Sequence, residues 1–561
     1  MDRGGAGLEA HGGTASARLP AWDASCHYSR ERRNSDTGAA SAIRGEDRTD
    51  AFNPARGDSE PLVTDQPPTS PDAPHTEAPR HLFRTIVPPV ILPVFLAAAD
   101  GTVVATALPA IAASLGEVEL LSWIVVANLI ASTIAAPTYG KLADLFGRRR
   151  MMLTALSIFM LASLLCAVAP TFWSLLAARV LQGLGAGGLM TLAQALVGEH
   201  VPPRERGNYQ GYLSANIVAG SSIGPVVGGF LTEAWGWHAV FLAYVPLCLI
   251  AIGLVLRLPK GKPTGGKASL DVTGIVLLAL FIVPLLMAVS QLQRLDPTVL
   301  PRLGGLLVFA AVMLAALLWQ QKRATSPLLA LPLLKLPAFW RSDVMAFCSG
   351  ASLTGMITFL PIYLQVVTGA TPAESGLLLI PFTTAVASGS VITGWMISRS
   401  GRTAIFPMCG LMVTAVTMIG LAIWAPSLSR QELSWALAIG GLCQGSAMLT
   451  AQITVQIVTS PRQLGAAAAS VQLSRSLGSA FGAAAAGAVL FGILTANDPE
   501  IANLFFDMVR RGPAIMDSLP ALRQSELQAA IASAFRGVFL TVACFSCTII
   551  VMAATMPVRR L

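Results

Sequence analysis

Residues 121–169 read LSWIVVANLIASTIAAPTYGKLADLFGRRRMMLTALSIFMLASLLCAVA. Two apolar runs, 121–142 and 151–169, flank a short junction that carries Lys141, Asp144, Arg148, Arg149 and Arg150. About 20 apolar residues is the length that takes an α-helix across the hydrocarbon of a bilayer. A run, a basic turn and a second run therefore read as a helical hairpin whose turn stays on one side of a membrane.

The same reading extends in both directions. It places spans near 86–112, 121–142, 151–169, 173–197, 209–232, 238–258, 271–290, 302–320, 343–367, 374–397, 403–425, 433–458, 465–494 and 536–556. The expected fold is an all-α polytopic membrane protein with about 14 transmembrane helices. Composition agrees. Of 561 residues, 54% are apolar and only 12% charged, against about 25% charged in soluble chains. A soluble multi-domain enzyme is excluded. Fifty Gly without a strict period exclude collagen, and eight Cys scattered through apolar runs exclude a disulfide scaffold. Cys544-x-x-Cys547 has redox spacing but falls inside the last span, so it reads as packing.

Charge separates the chain into a tail and a body. Residues 1–80 hold 9 Lys and Arg against 13 Asp and Glu, with no helical or strand period. They also lack the apolar core of a secretory signal, and read as a disordered cytoplasmic tail. The body holds 29 against 17. Its cations cluster in alternate loops, from Lys141 and Arg148–Arg150 through Arg204, Arg206, Lys322, Arg323, Arg399 and Arg402 to Arg559 and Arg560. That asymmetry places both termini in the cytoplasm and the loop 495–535 outside. Cations at span ends mark a membrane anchor and not a nucleic-acid footprint.

The body repeats itself. Gly140-x-x-x-Asp144-x-x-Gly147-Arg148 returns as Gly394-x-x-x-Ser398-x-x-Gly401-Arg402, an offset of 254. Ile223-Gly224 with Gly228 returns as Leu477-Gly478 with Gly482, again at 254. Leu181-Gln182-Gly183 and Leu108-Pro109 have counterparts at offsets of 262 and 252. The expected organisation is a six-helix bundle over 86–258, a two-helix insert with linkers over 259–335, and a second six-helix bundle over 336–556. Two parallel halves around a midplane site is a transporter design.

Four stretches carry a family resemblance. They are Asp100-Gly-Thr-Val-Val-Ala-Thr-Ala-Leu-Pro109, Gly140-Lys-Leu-Ala-Asp-Leu-Phe-Gly-Arg-Arg-Arg150, Arg179-Val-Leu-Gln-Gly183 and Gly220-Ser-Ser-Ile-Gly-Pro-Val-Val-Gly-Gly229. Together they resemble the major facilitator superfamily, in its fourteen-helix drug:proton antiporter branch, over about 86–556. In that family the last stretch marks antiporters. The chain departs from the pattern at Ala105, where the family usually has Asn. It departs also at Trp235-Gly236-Trp237, where Arg is usual at the middle position, and at Ser398, where the first half has Asp.

The candidate residues follow. Asp100 and Arg179 are charged at span depth, where a charge costs about 3 kcal/mol or more and must face a cavity or a partner. They are the expected proton-coupling residues, with a purely structural Asp–Arg pair as the alternative. Gly140, Asp144, Gly147 and Arg148 form an expected switch. There the glycines allow a tight turn, and Asp144 sits at a helix N-terminus or pairs with an Arg across the two halves. Gly220, Gly224 and Gly228 lie at i, i+4 and i+8 on one helix face, which lets two backbones approach, and Pro225 permits a bend. Asn128, Gln182, Asn216, Gln365, Gln444 and Arg475 are candidates to line a substrate cavity. Gln452 and Gln472 share their character as polar side chains in apolar spans.

The six His show no ligand spacing, and no Gly-x-x-x-x-Gly-Lys-Ser/Thr phosphate loop occurs. No metal, no cofactor and no direct use of ATP are expected. With the resemblance, the expected activity is proton-coupled efflux of amphiphilic or drug-like molecules by a monomer in a bacterial inner membrane. Its partners are substrate, protons and lipid. The alternatives are a narrow transporter of one metabolite, such as a siderophore, acid or vitamin, and a non-transporting sensor.

Overall fold

The computed structural model describes residues 79–115, 120–259, 271–291, 300–324, 327–329, 331–460, 463–502, 504–505 and 520–557. The expected tail lies outside the described residues, apart from Pro79 and Arg80 at the start of the first helix. All the helices belong to one unit, His75–Leu561.

Among the described residues, 14 helices are long and apolar enough to cross a membrane. The first half holds α1 (Pro79–Leu115), α2 (Ser122–Phe146), α3 (Arg148–Ala167), α4 (Phe172–His200), α5 (Arg206–Trp235) and α6 (Trp237–Val255, interrupted at Ala243). The insert is α7 (Val272–Gln291) and α8 (Leu300–Arg323). The second half holds α9 (Pro337–Val366), α10 (Pro372–Ser400), α11 (Ile405–Trp424), α12 (Arg430–Val458), α13 (Leu464–Asn497) and α14 (Ala521–Ala554). Helices are the physical answer to these sequences, because each N–H and C=O is satisfied within its own segment.

The repeat read from motifs is a repeat of packing. α1 lies on α5 as α9 lies on α13; α2 lies on α4 as α10 lies on α12; α3 meets α6 as α11 meets α14. Even the caps repeat. Thr171 before α4 and Ser429 before α12 each accept the backbone N–H three residues on, from Ser174 and Glu432. The halves meet through α5 against α10 and α2 against α13. Inserted α7 packs beside that seam, with Leu278 and Ile282 in one cluster with Ile130 of α2 and Leu473 and Leu477 of α13. α8 turns Leu307, Val308, Phe309 and Val312 outward, as a lipid-facing helix does.

Two expectations change. The last span does not begin at 536: α14 starts at Ala521, so the segment expected as the loop 495–535 is helical at both of its ends. Its first turns, Ala521–Phe535, mix Ala, Leu and Gln with Arg523 and Glu526, which favours helix without the apolar run that marks a span. Gly140 is not a turn residue. α2 runs through it to Phe146, and Gly147 alone makes the junction, at φ +89°.

Candidate functional site

Three neighbouring constructions occupy the first half and its seam with the second. The first stands at the end of the molecule that carries Arg148–Arg150, called the basic end below. Gly140 of α2 faces Gly465 of α13 so closely that an added Cβ at Gly140 would stand 2.6 Å from the Gly465 carbonyl oxygen and 2.8 Å from Ala469 Cβ. This contact brings Asp144, one turn on, to the N-terminus of α13. Asp144 Oδ1 accepts the Gly465 N–H at 3.2 Å, and Oδ2 accepts the Ala466 N–H at 3.3 Å. A carboxylate there satisfies two orphan donors and meets the positive end of the helix dipole. Of the two expected arrangements, the helix N-terminus is the one found; the arginine on Asp144 is Arg148 of its own half, at 3.4 Å, and Arg148 also pairs with Glu199.

The second half mirrors this contact. Gly394 of α10 packs on Gly207 and Gly211 of α5, and Ser398 Oγ accepts the Asn208 N–H at 3.1 Å. Beside it Arg206 donates to the carbonyls of Gln456 at 2.9 Å and Gly198 at 2.7 Å, and Gln456 Nε2 donates to the Gln194 carbonyl at 2.9 Å. These hydrogen bonds between the halves lie toward this basic end.

The second construction is a charged pair inside the first half. Asp100 of α1 and Arg179 of α4 are wholly buried. Arg179 Nη1 lies 2.8 Å from Asp100 Oδ1 and 2.9 Å from Oδ2. Asn128 Nδ2 of α2 donates to Asp100 Oδ2 at 3.0 Å. Arg179 also donates to Gln182 Oε1 at 2.7 Å and to the Ile124 carbonyl at 3.3 Å, and Gln182 Nε2 donates to Ser163 Oγ of α3 at 3.0 Å. The carboxylate thus ties α1, α2 and α4, and Gln182 adds α3 to the network. Breaking such a pair from one side costs about 3–5 kcal/mol, because the surviving charge is left without a partner.

The third is the glycine face of α5. Gly220, Gly224 and Gly228 lie against α1, and added Cβ atoms would meet Ala98 Cβ at 3.1 Å, the Ala99 carbonyl oxygen at 3.2 Å and the Val103 carbonyl oxygen at 2.6 Å. Ala99 and Thr102, which face Gly224, flank Asp100. Gly229, off this face, has open space around it. Pro225 points outward and is exposed.

The polar candidates divide. Asn128 and Gln182 belong to the ion-pair network. Asn216 Nδ2 is spent on the Ile91 carbonyl at 2.8 Å, and Gln365 Nε2 on Ser375 Oγ at 3.2 Å, so both join helices. Gln444 is buried with neither amide atom partnered, and Gln452 is buried with its Nε2 unpartnered. Arg475 of α13 is held by Gln472 and, among the described residues, has no carboxylate beside it. Sequence reasoning passed over Asp343, buried on α9, with Oδ2 accepting from Ser470 Oγ at 2.7 Å and Oδ1 unpartnered. It also passed over the seam amides Gln194 and Gln456. Asp343 is the first residue of the expected span 343–367, whereas α9 starts six residues earlier, at Pro337.

Comparison with known proteins is in accord with this geometry. A sequence model of the Major Facilitator Superfamily matches residues 90–483 and 342–560. An uncharacterized MFS-type transporter of Mycobacterium tuberculosis is 32% identical over 459 residues, which are 80% of this chain and 66% of the relative. The multidrug transporter protein MdtP of Bacillus subtilis is 31% identical over 438 residues, 78% of this chain and 79% of that protein. The crystal structure of the human organic anion transporter MFSD10 superposes with a TM-score of 0.59 at 16% identity, over 84% of this chain and 99% of that one, a likeness of fold alone.

Proposed function

We propose that this chain, which belongs to the Major Facilitator Superfamily, exports amphiphilic small molecules in exchange for protons. It is a multi-pass membrane transporter and not an enzyme. The finer reading rests on one observation: the buried Asp100–Arg179 pair, joined to Asn128 and set against the glycine face of α5.

In this reading Asp100 is the coupling acid. A proton on its carboxyl cancels the charge that holds Arg179 and frees α1 from α4. α1 carries α5 with it, because the glycine face leaves the two backbones in contact. α5 is also the helix whose basic end is held by Ser398, so a shift of α5 reaches the seam. Loss of the contacts of Asp144 and Ser398 opens the basic end, and their return closes it. The basic end faces the cytoplasm, both termini lie there, and the protein works as a monomer in a bacterial inner membrane. A potential of 100 mV is worth about 2.3 kcal/mol per charge. One proton exchanged per neutral substrate then sustains a gradient of roughly 50-fold.

Everted membrane vesicles containing the protein test this reading. An imposed proton gradient should drive ethidium into them, and an ionophore that collapses the gradient should release it. Accumulation that persists without a proton gradient contradicts the proposal.

A further inference from the structure

We propose that Arg475 receives the oxyanion head of an amphiphilic anion. This deepens the export reading and rests on it.

Arg475 lies 11 residues past Leu464, the start of α13, so about 17 Å along that helix and well within the bilayer. Its Nη2 donates to Gln472 Oε1 at 2.6 Å and its Nη1 contacts Met448 Sδ at 3.4 Å. Among the described residues no carboxylate stands within ion-pair distance of it. A buried acid can take up a proton and become neutral; a guanidinium cannot shed one, so its charge persists and calls for an anion. Asp343 does not supply it. That residue lies two turns nearer the basic end of α9 than Gly350, and it accepts from Ser470. Gly350 lets α9 approach α13 at this point: an added Cβ would clash with the Arg475 carbonyl oxygen and stand 3.0 Å from Ser479 Oγ and 3.2 Å from Arg475 Cγ.

Arg475 stands at the seam between the halves. Met448 packs against the core of the first half, and Leu473 and Leu477 of α13 pack with Ile130 of α2. Gln472, Arg475, Ser476 and Ser479 fall at i, i+3, i+4 and i+7, one polar face along a membrane helix. Such a face belongs against a cavity or a partner, not lipid.

Unpartnered polar atoms also lie in the second half. Ser352, Met356, Phe382, Met418, Gln444 and Val542 line a pocket in the second half. Both ends of the Gln444 amide and the Ser352 hydroxyl are buried there without partners. Gln444 lies one turn of α12 from Met448, the residue that Arg475 Nη1 contacts. Asp100 and Arg179 neutralise one another, whereas Arg475 has no carboxylate beside it among the described residues. The guanidinium fork suits a carboxylate or a sulfonate.

The test uses everted vesicles with wild type, Arg475→Gln and Arg475→Lys at matched protein amounts. The probes are anilinonaphthalene sulfonate, an amphiphilic anion, and ethidium, an amphiphilic cation. The expected result is accumulation of the anion by wild type, a loss of about tenfold or more in Arg475→Gln, partial retention in Arg475→Lys, and little change with ethidium. A tenfold loss is the scale of one good charge-assisted contact. Equal anion transport by wild type and Arg475→Gln overturns the proposal, as does ethidium transport without anion transport. Parallel loss of both probes in Arg475→Gln marks the residue as structural and also overturns it. If wild type moves neither probe, the export reading itself fails, and this inference falls with it.

Discussion

Asp144 and Ser398 hold equivalent positions in the two halves and each accepts backbone N–H groups from the first turn of a helix in the other half. Asp144 takes those of Gly465 and Ala466 on α13, and Ser398 takes that of Asn208 on α5. The replacement of carboxylate by hydroxyl changes the strength of the contact and keeps its geometry. A hydrogen bond to a charged group is worth about 1.5–3 kcal/mol, against about 1 kcal/mol for a neutral one.

The two positions should therefore differ in degree. Asp144→Asn should lower export severalfold at matched protein level, and Ser398→Ala should lower it less, with the double variant weaker than either. Dye efflux from energised cells measures this. Unchanged efflux in Asp144→Asn removes the switch role and leaves a membrane anchor.

Gly224 and Gly229 provide a paired test of the α1–α5 contact. A Cβ at Gly224 would meet Thr102 and the Ala99 carbonyl, whereas Gly229 has nothing within 4 Å. Overpacking costs about 1–3 kcal/mol. Gly224→Leu should abolish export, and Gly229→Ala should leave it near wild type. Normal export by Gly224→Leu contradicts a close α1–α5 seam.

The Asp100–Arg179 pair predicts a pattern of stability. Arg179→Gln strands the buried Asp100 carboxylate and should destabilise the protein by about 3–5 kcal/mol. Adding Asp100→Asn removes the stranded charge and should recover much of that loss. Melting of the purified variants in detergent reports it. An undiminished midpoint in Arg179→Gln shows that the pair does not hold the bundle.

Orientation is checked by labelling from outside with a membrane-impermeant maleimide. Ser427 between α11 and α12 and Arg204 before α5 are both exposed, at opposite ends of the molecule. Ser427→Cys should react in intact cells and Arg204→Cys only after lysis. The reverse result inverts the topology.

The fold was largely legible because its signals are local. An apolar run of about 20 residues and a basic junction each speak within one window of sequence. The start of α14 was hidden because Ala521–Phe535 is helical by propensity while carrying charges. The site was legible where a residue type is costly in lipid, as at Asp100 and Arg179. It was hidden where meaning comes from a distant partner. Asp144 finds Gly465 across 321 positions, and no spacing rule reaches that far. Ser398 read as a departure from the pattern because a hydroxyl does not look like a carboxylate until its donor is seen. Asp343 was missed because it stands at the very start of the run read as 343–367, where a charge passes for a span end; α9 begins at Pro337 and carries it inside the helix.

Substrate-induced proton movement in vesicles reconstituted with wild type and Asp100→Asn tests the central claim most directly. Asn128 and Arg179 surround Asp100, and asparagine preserves its size while removing the group that takes a proton. Ethidium added to wild-type vesicles holding a proton gradient should release protons in step with its transport. In Asp100→Asn that release should vanish, with the protein still folded. Full substrate-coupled proton flux in the variant would contradict the account and leave the Asp100–Arg179 pair a structural tie.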